Sequence, residues 1–200
     1  DKLLIMAEKE GIQAIICVNK IDLDDGNSLD EIVSEYKLTG YPIILSSSKT
    51  KEGLNELREM LKGKITVLAG QSGVGKSTLI NTLMQSYVME TGDVSGKIGR
   101  GKHTTRHAEL IPLAEGGFLV DTPGFSSFEI TGWEPSELQA YYPEFVHQIG
   151  ACRFNKCSHV HEPDCAVKLA IQEGEISRGR YDRYSELYKI IKENYDSRYR

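Results

Sequence analysis

The chain has 200 residues, 40% of them apolar, and a formal net charge of −5. That length gives one domain with a full core, or one domain and a small appendage. The negative balance excludes a global field for nucleic acid, so such a contact needs a local basic patch. The apolar runs are strand-sized and exclude a membrane-spanning helix, and Asp1 to Glu10 lacks the apolar core of a signal peptide.

Asp1 to Glu10 instead reads as a helix already in progress, with Leu3, Leu4, Met6 and Ala7 at helical spacing, so the chain is expected to begin inside a domain. Ala14 to Val18 reads as a buried strand, and Cys17 within it as a small buried hydrophobe. Asn19-Lys20-Ile21-Asp22 follows at the strand's end. An aspartate there accepts from both the ring N–H and the exocyclic amine of guanine, a donor pair that adenine lacks. Asp22 therefore sets base choice, Asn19 braces neighbouring loops and the Lys20 stem lies across the base. Leu29 to Tyr36 predicts a short helix and Tyr41 to Leu45 a second buried strand. Ser47-Ser48-Lys49 then resembles an S-A-K element, whose middle N–H meets the guanine O6. The same residues also suit a polar turn before a helix over Glu52 to Leu61.

Ile65 to Ala69 is a β-branched, apolar run that predicts a buried strand, and Leu79, Ile80 and Leu83 mark a helix after Lys76. Between them lies G-x-x-x-x-G-K-S, so the motif sits in the strand–loop–helix context that gives it meaning. The loop set is Gly70, Gln71, Ser72, Gly73, Val74, Gly75, Lys76, Ser77 and Thr78. Glycine backbones turn successive N–H groups inward, and with the helix N-terminus these cradle phosphate oxygens. Lys76 reaches the outer phosphates and Ser77 ligates Mg²⁺.

Tyr87 to Lys97 shows no periodicity, and Lys97 to His107 is glycine-bearing and basic, a loop by composition. Its place after the phosphate loop is that of a switch loop. Thr104 or Thr105 can complete the Mg²⁺ shell, with Thr105 favoured. His103 beside them can carry a proton near neutral pH and is the candidate for orienting the attacking water. Ala108 to Leu113 and Gly117 to Val120 predict a hairpin. Asp121-Thr122-Pro123-Gly124 closes its second strand as D-x-x-G, where Asp121 holds Mg²⁺ through water and the Gly124 N–H senses the γ-phosphate. Phe125 stands where Ras-like proteins place a water-orienting glutamine, which predicts slow intrinsic hydrolysis.

Beyond Phe125 short helices are expected over Glu134 to Ala140, Tyr142 to Gln148 and Val167 to Gln172. A longer amphipathic one covers Tyr181 to Tyr195, its tyrosines reading as helix packing. Cys152, Cys157, His159 and Cys165 fall within fourteen residues of a chain that has four cysteines in all. Three thiols and an imidazole at this spacing suit one tetrahedral, structural Zn²⁺, with His161 as an alternative ligand. Their odd number argues against a disulfide framework and for a reducing compartment.

N-K-x-D and S-A-K precede the phosphate loop here, whereas a Ras-like order puts them last. That is a circular permutation, which keeps the parts together if the doubly wound sheet is retained. This order, with VNKIDL, GQSGVGKST, GKHTTRH, DTPGF and C-x₄-C-x-H-x₅-C, closely resembles the ribosome small-subunit-dependent GTPase A family. The resemblance implies an α/β fold: a permuted Ras-like P-loop GTPase domain over residues 1–149, with a mostly parallel sheet, then a mainly helical zinc domain over 150–200. It further implies a cytoplasmic, monomeric, Mg²⁺-dependent GTPase that acts late in small-subunit assembly. The small ribosomal subunit and its rRNA are its partners, and Lys76, Thr105 and His103 carry hydrolysis. On that resemblance the 200 residues are expected to lack the family's N-terminal OB-fold and the first GTPase strand. An RNA-binding module that holds GTP with little turnover is a rival reading. A P-loop kinase or ATPase is another, which Asp22 argues against.

Overall fold

The computed structural model describes residues 1–26, 28–91, 109–113, 116–121, 130 and 132–198. Its regular elements alternate helix and strand through the first part: α1 Lys2–Lys9, β1 Ile16–Asn19, α2 Ser28–Lys37, β2 Ile43–Ser46, α3 Leu54–Leu61, β3 Ile65–Val67 and α4 Lys76–Thr91. Then come β4 Glu109–Pro112, β5 Phe118–Asp121, two 3₁₀ turns at Pro135–Tyr141 and Pro143–Gln148, α5 Ala166–Gln172 and α6 Arg178–Ser197.

The chain forms two compact units. One comprises Asp1–Ile16, Asp25–Ile43 and Phe128–Arg200, the other Cys17–Asp24 and Ile44–Ser127. The division follows contacts and not chain order, and residue 149/150 falls inside the first unit.

In the second unit β3, β5 and β4 make one sheet in that order, while β1 pairs with β2 in a separate two-stranded sheet. β3 pairs parallel to β5, with Thr66 opposite Leu119, and β4 pairs antiparallel to β5, with Ile111 opposite the same residue. The short connection from β4 to β5 allows only the antiparallel arrangement, whereas the longer path through α4 permits the parallel one. Leu119 and Ile111 are buried. The alternate residues turn the other way, so Ile65 is 71% exposed and Val67 46%. The buried strand expected over Ile65 to Ala69 is thus corrected. β3 pairs on one side only among the described strands, and one of its faces is open.

α3 buries Leu54, Leu57 and Leu61, one stripe at helical spacing. It starts at Gly53, whose φ is 71°, and a Cβ there would lie 1.8 Å from the Leu45 carbonyl oxygen. Only glycine lets the helix start this close to β2. α4 runs on to Thr91, beyond the aperiodic boundary expected at Tyr87. Propagation adds one hydrogen bond per residue fixed, and no breaker intervenes before Gly92.

The first unit is held by a core of Ile5, Trp133, Leu138, Tyr142, Phe145, Val167, Ile176, Tyr184, Leu187 and Ile191. α6 supplies one face through Tyr181, Tyr184, Leu187 and Ile191, and Ser177 caps it by accepting from the Arg180 N–H at 3.3 Å. Two segments expected as helices are 3₁₀ turns. Each is six or seven residues long and opens with proline, and i→i+3 bonds such as Phe145 N–H to the Tyr142 carbonyl close them. Arg180 is fully buried yet paired: it donates to Glu144 at 2.7 and 3.2 Å and to Asp1 Oδ1 at 2.6 Å, and stacks on Tyr142. A buried guanidinium is tolerable only with its donors met in this way.

Candidate functional site

The phosphate loop leaves β3 and enters α4. Gly70, Gly73 and Gly75 all have positive φ, which folds the loop back over the helix start. Lys76 donates its ammonium protons to the loop's own carbonyls, at 2.6 Å to Gly70 and 2.9 Å to Gln71. Ser77 and Thr78 occupy the first turn of α4 and are exposed. A cavity of about 520 Å³ opens here, with Asn19, Lys20, Ser72, Gly73 and Lys76 on its walls.

The N-K-x-D residues close onto this loop. Asn19 Nδ2 donates to the Val74 carbonyl at 3.0 Å, and Lys20 Nζ to the Gly73 carbonyl at 2.6 Å. Lys20 itself sits in the left-handed region at φ 70°, turning the chain into the short 3₁₀ turn Ile21–Leu23 that carries Asp22. A side chain at position 75 would meet Asn19 Nδ2 at 2.5 Å, so Gly75 is what allows the two motifs to touch. Ser46 Oγ donates to Asn19 Oδ1 at 3.3 Å and lies 3.2 Å from the half-buried Cys17 thiol, which is raised above its usual range by burial.

The Ser47-Ser48-Lys49 turn faces Asp22. Ser47, fully buried, donates to Asp22 Oδ1 at 2.5 Å and accepts from the N–H groups of Lys49 and Thr50. Lys49 Nζ lies 3.7 Å from Asp22 Oδ2. The Ser47 hydroxyl is the main reason the Asp22 carboxyl is held below its ordinary range, with Lys49 helping. Asp22 is thereby an ionised acceptor with one oxygen already engaged. Asp121 ends β5. His103, Thr104, Thr105, Gly124 and Phe125 lie outside the described residues.

In the helical unit Cys152, Cys157, His159 and Cys165 converge, their ligand atoms all within 4.8 Å of one another. Cys152 Sγ is 3.9 Å from Cys165 Sγ, and His159 Nδ1 is 3.6 and 3.3 Å from those two sulfurs. Tetrahedral zinc with Zn–S near 2.3 Å puts sulfurs roughly 3.8 Å apart, so the donor set fits. Burial pushes the Cys157 thiol up to about 12 and the Cys165 thiol upward as well, so thiolates here need a cation. Burial lowers His159, which leaves its ring neutral and able to ligate. Lys156, His159 and Asp164 have positive φ, the reversals that bring distant ligands together. His161 is exposed and does not belong to the group.

Several residues that support this centre carry no sequence signal. Tyr181 and Tyr184 pack as expected, but their hydroxyls also donate to the His159 and Ser158 carbonyls at 2.8 and 2.9 Å. Glu162 accepts from Ser158 N–H and Oγ and from His161 N–H. Burial pushes its carboxyl up, but these bonds outweigh it and bring it to about 2. Gln139 receives the far side of the His159 ring at 2.7 Å.

A strand–loop–helix phosphate loop braced by Asn19 and Lys20 places the chain among P-loop nucleotide-binding proteins. Within that class the chain belongs to the RsgA GTPase family, whose model matches residues 1–131. It is 56% identical over 193 residues to the small ribosomal subunit biogenesis GTPase RsgA of Ruminiclostridium cellulolyticum, covering 96% of this chain and 63% of that protein. The protein of the same name from Agathobacter rectalis is 48% identical over 192 residues, covering 96% and 64%. The chain thus spans less than two thirds of the length of these two relatives. Among solved structures it is similar to YjeQ from Thermotoga maritima, with a TM-score of 0.79, 40% identity and coverage of 95% and 64%. It is also similar to YloQ, a circularly permuted GTPase, with a TM-score of 0.76, 37% identity and coverage of 96% and 61%. Among the described residues no helix is long and apolar enough to cross a membrane.

Proposed function

We propose that the protein hydrolyses GTP to GDP and phosphate, and that it acts in the cytoplasm as a monomer late in the assembly of the small ribosomal subunit. The observation that carries this reading is the closure of Asn19 and Lys20 onto the phosphate loop at Val74 and Gly73. Direct bonds between a guanine-reading motif and a phosphate-binding one support a single nucleotide held by both. Asp22 reads the guanine donors, with Ser47 orienting it and the Ser48 and Lys49 turn completing the base site. Gly70 to Thr78 hold the phosphates. Lys76 exchanges its neutral loop carbonyls for anionic phosphate oxygens, so its hydrogen bonds are kept and its charge gains a partner. Ser77, Thr105 and Asp121 would hold Mg²⁺, which would neutralise charge on the phosphates, with Thr104 and Gly124 beside the γ-phosphate.

With Phe125 in place of a water-orienting glutamine, intrinsic hydrolysis is slow. His103 supplies the missing orientation when rRNA phosphates bind the basic residues Lys97, Arg100, Lys102 and Arg106. The family's permuted GTPase arrangement over 1–149 and its zinc domain over 150–200 belong to this proposal as functional divisions of the chain; the described strands form two separate sheets, β1 with β2 and β3 with β5 and β4. Cys152, Cys157, His159 and Cys165 hold one structural Zn²⁺ with no position left for substrate. The relatives' names point the same way, since both are small ribosomal subunit biogenesis GTPases. The test is turnover of GTP against ATP, with and without purified small subunits. Stimulated turnover of GTP alone supports the proposal, and equal use of ATP or indifference to subunits overturns it.

A further inference from the structure

We propose that Gln139 is a positioning residue for the metal centre, fixing His159 in the tautomer protonated at Nε2 so that the Nδ1 lone pair faces the sulfur atoms. This rests on the reading of the cysteine–histidine group as a zinc centre.

A neutral imidazole has one N–H, and the partner of each nitrogen decides where it sits. His159 Nδ1 faces Cys152 and Cys165, and Nε2 lies 2.7 Å from Gln139 Oε1 on the opposite edge. A glutamine amide can present either end, so its orientation needs a second contact. Gln139 Nε2 donates to the Ser136 carbonyl at 3.1 Å. Turned over, the amide would set its oxygen against that carbonyl, two acceptors face to face. The oxygen therefore points at the ring. An acceptor at 2.7 Å requires the imidazole proton on Nε2, which frees Nδ1 to ligate.

The arrangement is braced on every side. Leu138, the neighbour of Gln139 in the same 3₁₀ turn, is fully buried and anchors that turn in the core. Phe145 meets the His159 ring edge-on at 82°, and the Tyr181 hydroxyl holds the His159 carbonyl. Such outer partners fix ring orientation and raise ligand basicity, and their loss commonly costs about 10–100-fold in metal affinity. Gln139 stands 20 residues before His159 and ahead of Cys152, so the metal group recruits it from outside the ligand-bearing run.

The experiment compares the wild type, Gln139→Met and Gln139→Glu. Zinc affinity is read by competition with a chromogenic chelator, and the His159 tautomer and Nε2–H exchange rate by ¹⁵N NMR. Methionine keeps the shape and removes the acceptor; glutamate keeps an acceptor toward the ring and gives up the exposed bond to Ser136, whose carbonyl passes to water. The wild type should bind one zinc and show a slowly exchanging Nε2–H. Gln139→Met should bind zinc about 10–100-fold more weakly and exchange that proton rapidly, while Gln139→Glu stays within a few-fold of wild type. A wild type that binds zinc with the proton on Nδ1, or a methionine variant of equal affinity, overturns the role of Gln139 alone. A wild type that binds no zinc overturns the zinc reading and this inference with it. Should the methionine variant fail to fold, glutamate decides: zinc weakened tenfold or more in a folded Gln139→Glu is the refuting result.

Discussion

The loops around Lys76 are held by polar side chains on backbone carbonyls, whereas the loops around His159 rest on a packed aromatic wall. In the first region Asn19, Lys20 and Lys76 all donate into the phosphate loop, and Lys20, Gly73 and Ser72 are largely open to solvent. In the second, His159 is buried among Phe145, Tyr181 and Tyr184, with the thiols of Cys157 and Cys165 inside the same core. Hydrogen bonds to exposed carbonyls exchange easily with water or a ligand, since each contributes only about 1 kcal/mol net. Burial of aromatic area does not exchange. A site that must admit and release a nucleotide suits the first construction, and a site that must never release its ion suits the second.

The widest separation between the two should come from metal removal. Chelation, or Cys157→Ser, should unfold or loosen the helical unit, because structural zinc sites contribute on the order of 10 kcal/mol to folding. Trp133, the single tryptophan, lies in that unit's core and reports on it by fluorescence. Binding of a fluorescent GTP analogue should survive the same treatment. Full thermal stability of the metal-free protein would erase the contrast.

Asp22→Asn tests the other side. The variant replaces an acceptor for guanine's donor pair with an amide and should shift preference from GTP toward xanthosine nucleotides, whose 2-oxo group accepts. Buried hydrogen-bond discrimination reaches about 10⁴, and the tryptophan-monitored melt should not move. Equal GTP affinity in variant and wild type would remove Asp22 from the base site.

The smallest effect expected is that of Gly75→Ala. Its methyl would press on Asn19 Nδ2 and sit at a φ of 98°. The strain, about 1–3 kcal/mol, should appear as roughly ten- to hundredfold weaker nucleotide binding and leave the metal content unchanged. Isothermal titration gives the answer, and an unaltered affinity would mean that the contact between the two motifs is not needed for the ligand.

Much of this was legible in the chain. The phosphate loop between β3 and α4, the hairpin of β4 and β5, and the meeting of Cys152, Cys157, His159 and Cys165 follow from residues close in sequence. Each is dictated locally: glycines set backbone angles, a short connection sets strand direction, and ligand spacing sets which side chains can converge. The short helices expected over Glu134 to Ala140 and Tyr142 to Gln148 are present as 3₁₀ helices, a type that apolar spacing alone does not distinguish from a short α-helix.

What tertiary structure alone decided lies in pairs far apart along the chain. Arg180 meets Asp1 across 179 residues and Glu144 across 36, while Gln139 meets His159 across 20. The open face of β3 is of the same kind: Ile65 and Val67 carry a strand's composition, but strand neighbours determine whether they are covered. Composition and periodicity state what a residue can bury or bond. Which partner it finds is set by packing of the whole unit, since a buried charge or amide must be satisfied wherever the fold happens to bring an acceptor.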